Sequence, residues 1–86
     1  MKFSFEKQIG DVIIEADTTV MGEIVGNVVV LSGAKLELIA PVKGNVTLMK
    51  FSKALIRGQI SGNLYDEGAE IEELASNVKG HIIHKR

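Results

Sequence analysis

The sequence predicts an all-β protein, a short β-solenoid of about four coils, each 18 residues long. Three observations predict it. The tripeptide Gly26-Asn27-Val28 returns as Gly44-Asn45-Val46, Gly62-Asn63-Leu64 and Gly80-His81-Ile82, at a constant spacing of 18. Folding the chain at that period brings like aliphatic residues into columns. Composition agrees: 45% of residues are hydrophobic but only 5% aromatic, and the apolar residues are mostly Val, Ile and Leu, which suit stacked strands.

Taken from the start, residues 1–9 read as an N-terminal cap, with Phe3 and Phe5 expected to cover the end of the core. The coils run over 10–79 and a C-terminal strand and tail over 80–86, all in one domain, 1–86. Gly10-Asp11-Val12 precedes the repeat at a spacing of 16, so the first coil is two residues short.

One inward column is Val12, Val28, Val46, Leu64 and Ile82. Two residues on it reads Ile14, Val30 and Leu48, then Asp66. Others are Val20, Leu38, Ile56, Leu74 and Ile24, Val42, Ile60, Val78. Within each segment these positions alternate with others, the period of a strand buried on one face. Three short strands per coil place residue i beside residue i+18, about 4.8 Å away. A small-residue column, Gly22, Ala40, Gly58, Ser76, marks corners, and Pro41 follows one of them.

The column Asp11, Asn27, Asn45, Asn63, His81 is read as a structural ladder that satisfies corner backbone groups, rather than as a polar ligand stripe. Asp66 and Glu72 stand where aliphatics are expected, so this coil is predicted to bulge outward and to blunt an open edge. Over 67–76 a short helical turn is a second option. Ile71 and Leu74 do not share strand parity, which makes this the least regular coil.

The exclusions are broad. Cysteine is absent, so disulfides and thiolate metal sites do not arise. His81 and His84, three apart on a strand, face opposite sides and do not chelate one metal. The acidic run Asp66, Glu67, Glu70, Glu72, Glu73 comes with no nucleophile–base arrangement, so no enzyme activity and no cofactor is expected. Net charge is −1, and Lys43, Lys50, Lys53 and Arg57 lack aromatic interleaving, so nucleic acid is not an expected partner. That basic stretch lies about one coil from the acidic run and is expected to pair with it. No signal peptide or membrane span is read, and a cytoplasmic location is expected.

The surface feature that stands out faces outward. If Val12, Val28, Val46 and Leu64 point in, their neighbours Ile13, Val29, Thr47, Tyr65 and Ile83 point out. A second outward column carries Met21, Ile39, Arg57 and Ala75. Contiguous apolar strips on a small protein read as an interface, and Ile13, Val29, Thr47, Tyr65, Ile83, Met21 and Ile39 are its expected members. The partner expected is another copy of the chain, in an oligomer or polymer.

Three segments share the pattern aliphatic-x-Gly-x-aliphatic-x-Gly-Asn-aliphatic. They are Val20 to Val28, Ile56 to Leu64, and Leu38 to Val46 with Ala40 in place of the first Gly. This resembles the bactofilins, bacterial polymer-forming cytoskeletal proteins, over about residues 10–84. The resemblance implies a right-handed β-helix and a non-enzymatic scaffold that self-associates. Bactofilins usually carry Asp where this chain has Asn, and a longer core with disordered tails. Hexapeptide-repeat acyltransferases use a coil of the same length. Here, however, the three sides of a coil are unlike one another, which favours the bactofilin-like reading. A small inhibitor or immunity-type module that covers a partner protein with its Glu-rich coil is the other alternative.

Overall fold

A computed structural model describes residues 2–74 and 78–84. The described chain is all-β and winds into stacked coils of the expected length. The strands are β1 (Lys2–Ser4), β2 (Gln8–Ile9), β3 (Val12–Ile14), β4 (Thr18–Val20), β5 (Ile24–Val25) and β6 (Val28–Val30). They continue as β7 (Lys35–Leu38), β8 (Val46–Leu48), β9 (Lys53–Ile56), β10 (Leu64–Asp66), β11 (Glu70–Leu74) and β12 (Ile82–His84).

Every strand pairs in parallel with its counterpart in the next coil, giving three faces. One is β1-β4-β7-β9-β11 and the second is β3-β6-β8-β10-β12. The third begins with β2-β5 and continues as single bridges Ile24–Val42, Val42–Ile60 and Ile60–Val78. The expected columns are the observed registers: Val12, Val28, Val46, Leu64 and Ile82 stack directly, as do Val20, Leu38, Ile56 and Leu74. Val28, Val30, Leu36, Leu38, Val42, Val46, Leu48, Ile56, Ile60 and Leu64 are all fully buried in one core.

The first coil is shorter than the rest, as the spacing predicted, and the structure locates the shortening. Register runs at 16 from Lys2–Thr18 through Ile14–Val30, then at 18 from Thr18–Leu36 onward, save at Glu70 and Ile71, which pair at 17 with Lys53 and Ala54. Both missing residues therefore fall in the corner between β3 and β4. A corner can lose them without shifting any column.

The inward columns leave no room for side chains at some corners. A Cβ on Gly44 would lie 2.1 Å from the backbone oxygen of Gly26, so only glycine lets those coils approach. At the corner after the second face the requirement is conformational. Gly33 (φ 84°), Phe51 (φ 66°) and Gly68 (φ 107°) occupy equivalent left-handed positions. They are tied by Gly33 N–H to Phe51 O (3.1 Å) and Phe51 N–H to Gly68 O (3.4 Å). Phe51 holds this backbone without glycine's freedom, at a cost of about 1 kcal/mol or more.

The structure overturns three expectations. Residues 70–74 are strand, not a helical turn. Asp66 does not push its coil outward. It stays in register with Leu48 and His84 and is buried, because the corner beyond it supplies donors. The irregularity sits in β11: Ile71 pairs with Ala54 and Glu73 with Leu55, so Glu72 is the extra, bulged residue. That bulge returns Leu74 to register with Ile56 and resolves the parity conflict with Ile71. It also offsets the corner between Asp66 and Glu70, which is one residue shorter than that between Leu48 and Lys53.

The N-terminal end is the third case. Phe3 and Phe5 do not cover the core; Phe3 lies in register with the outward Thr19, and both rings are exposed. The positions above the core are Lys2, Ser4 and Gln8, in register with Thr18, Val20 and Ile24. Gln8 Nε2 donates to Ser4 Oγ across this end. The cap is thus a polar plate where the lower coils are aliphatic.

Candidate interaction surface

Turns leave the aromatic pair free to face solvent. β1 ends at Ser4, and the next residue sits at the corner that Met21 and Ile39 occupy one and two coils on. Backbone bonds set the stacking: Met21 N–H donates to Ser4 O, Ile39 N–H to Val20 O and Arg57 N–H to Leu38 O. The outward corner column therefore reads Phe5, Met21, Ile39, Arg57. Its first three members are 67%, 43% and 42% exposed, though each is strongly apolar. Phe3 stacks on Phe5 with ring centroids 6.0 Å apart and widens the strip. Sequence reasoning found Met21 and Ile39 but assigned Phe5 to the cap. The signal was available: position 5 precedes position 21 by the length of the short first coil.

The second expected stripe is also outward. Ile13, Val29, Thr47, Tyr65 and Ile83 stack in strict register. Ile13 is exposed, and the other four are half-buried. Thr47 and Tyr65 interrupt its apolar character, and Tyr65 Oη accepts from Asn63 Nδ2 at 3.0 Å. Ile9 is largely exposed on the third face of the first coil. Exposed apolar side chains thus concentrate in the first coil and along the Phe5 column. The last members of the outward corner and small-residue columns, Ala75 and Ser76, lie outside the described residues.

The asparagine column is a ladder, as read from turn chemistry. The backbone N–H of Asn27 donates to Asp11 Oδ1 (3.2 Å), that of Asn45 to Asn27 Oδ1 (3.0 Å), that of Asn63 to Asn45 Oδ1 (2.8 Å) and that of His81 to Asn63 Oδ1 (2.9 Å). Each carbonyl oxygen is engaged in binding the next coil.

Asp66 is the one buried carboxylate among the described residues. Its Oδ1 accepts the N–H groups of Gly68 (3.0 Å) and Ala69 (2.7 Å), and its Oδ2 lies 2.9 Å from His84 Nδ1. Burial raises its pKa, but the Ala69 N–H, His84 and the Gly68 N–H together outweigh that and hold it below the ordinary 3.8. These contacts describe a corner clamp that also fastens β12. His84 is more than half exposed, yet tied to the core through this contact.

The charged runs pair in part as expected. Lys53 meets Glu70 at 3.8 Å, Lys35 meets Glu72 at 3.4 Å, and Lys43 joins Lys7 around Glu23 at 3.5 and 3.6 Å. Exposed pairs of this kind contribute about 1 kcal/mol at most. Lys50 extends over the Phe51 ring at 5.1 Å. Among the described residues no three His, Asp or Glu side chains gather as metal ligands, and no helix is long and apolar enough to cross a membrane. A shallow concavity of about 470 Å³ lies beside Phe3, Phe5 and Lys7, part of the same apolar corner.

No family model, curated protein or solved structure matches the chain. Its geometry therefore carries the functional argument.

Proposed function

We propose that this protein is a non-enzymatic structural module of the cytoplasm that associates with copies of itself, in the manner of the bactofilins its repeat resembles. The observation that supports this most is the exposed apolar column Phe5, Met21, Ile39, continuous over three coils. Monomers seldom display such strips without covering them. A solenoid of 86 residues also has little core, so covering one side adds burial that its size withholds.

The inhibitor-type alternative places the contact on the Glu-rich coil. Glu70 and Glu72 already engage Lys53 and Lys35 within the chain, which makes that coil a weaker surface for a foreign partner. Sedimentation equilibrium of the purified protein over a wide concentration range tests the proposal, with electron microscopy to separate filaments from discrete particles. Mass-action association is the expected result; a monomer at every concentration refutes it.

A further inference from the structure

The outward corner column has a direction. Reading along the solenoid axis it runs Phe5, Met21, Ile39, Arg57, and the adjoining outward column runs Phe3, Thr19, Glu37, Leu55. The upper part is aromatic, the middle is aliphatic on one side and polar on the other, and the cation stands at the bottom. Within the second column Thr19 is buried and its Oγ1 donates to Glu37 Oε1 at 3.3 Å.

We propose that a second copy of this chain docks on this surface antiparallel to the first, forming a two-fold, side-by-side dimer. The inference rests on the self-association reading and specifies its geometry. A two-fold axis across the stack, between the Met21 and Ile39 levels, sets Met21 against the partner copy's Ile39 position. It sets Phe5 against the Arg57 position and Phe3 against that of Leu55. Met21 meets Ile39 and Phe3 meets Leu55, apolar on apolar, and the guanidinium meets an aromatic face, a favourable pairing. The alternative two-fold axis, parallel to the stack and set on the corner column, puts Arg57 on Arg57, and like charges opposed across an interface are costly.

Head-to-tail stacking is disfavoured by the polar plate. Adding a coil above β1 would bury Lys2 over the inward column and break into the Ser4–Gln8 contact. Size and charge permit the lateral mode. With principal extents of 33 × 27 × 22 Å, one side of the molecule is of the order of the roughly 800 Å² per partner that a stable interface covers. A net charge of −1 brings little repulsion between copies.

The chain has no cysteine, so single cysteines report the geometry directly. Phe5 and Arg57 lie three coil steps apart, about 14 Å, beyond the roughly 7 Å reach of a disulfide. Mixing Phe5→Cys with Arg57→Cys under mild oxidation is expected to give a mixed disulfide dimer, and neither variant alone a homodimer. A Phe5→Cys homodimer, or no cross-link in any combination, overturns the antiparallel arrangement. Independently, Met21→Asp with Ile39→Asp is expected to weaken dimerisation at least about 30-fold in sedimentation equilibrium, while Ile82→Asp at the far end leaves it unchanged. Circular dichroism melting shows whether each variant stays folded. Association that survives the double substitution in a folded variant sinks this geometry but leaves self-association standing; a monomeric wild type sinks both.

Discussion

Asp66 offers the sharpest test of the fold's energetics, because pattern and structure disagree about it. Its column is Ile14, Val30, Leu48, so pattern alone says that Asp66→Leu should complete an aliphatic stack and stabilise the protein. The structure says the reverse. The carboxylate accepts two corner N–H groups and holds His84, and leucine takes the acceptor away from those half-buried donors. Losing two hydrogen bonds to a charged acceptor costs about 1.5–3 kcal/mol each. Burying a leucine side chain returns about 2 kcal/mol. The net is a loss of about 2 kcal/mol, or roughly 8–16 °C in melting temperature for a domain of this size. Urea unfolding followed by circular dichroism measures it, and a leucine variant as stable as wild type or more so refutes the clamp. A second arm uses pH. A carboxyl whose folded pKa is depressed contributes stability above its unfolded value and loses it as pH falls through the folded one. Asp66 lies below 3.8 when folded, so the stability advantage of wild type over Asp66→Asn should be full near neutrality and vanish on acidification below about pH 4.

Three further outcomes follow from the corners. Phe51→Gly should stabilise the protein by up to about 1 kcal/mol, since it relieves a left-handed backbone at an exposed position and glycine's unfolded-state entropy offsets only part of the gain; thermal melting checks it. Gly44→Ala should destabilise by about 2 kcal/mol or more, because its Cβ has backbone rather than a flexible side chain in its way, and urea midpoints report the loss. Asn45→Ala removes the acceptor for the Asn63 N–H and should cost about 1 kcal/mol, with amide hydrogen exchange at Asn63 accelerated more than at Val30.

The repeat made most of this architecture legible. Constant spacing of the Gly-Asn pair fixed which residues meet, and Val28, Val46 and Leu64 do lie one above another. What the pattern could not show was how corners absorb irregularity. Two residues lost between Ile14 and Thr18 leave the columns on both sides intact, so only their total was readable. Asp66 looked like a defect because an acceptor's donors, here the Gly68 and Ala69 N–H groups, belong to a corner whose shape no periodicity encodes. The N-terminal strand lies upstream of the first Gly motif. Its register, and with it the polar plate of Lys2, Ser4 and Gln8, emerged only once the short first coil was extended backward. The exposed apolar column was half visible for the same reason: Met21 and Ile39 were placed, and Phe5 was not.

The uniform register bears on how the chain finds its shape. Almost every strand partner lies 16 to 18 positions away, whichever coil is considered. Each step of assembly closes a segment of nearly the same length, so the entropic toll per step is constant, and an already wound coil serves as the template for its successor. Duplicating one coil would lengthen the molecule without lengthening any closure, and folding should slow far less than in a sheet whose edges must meet across the whole sequence.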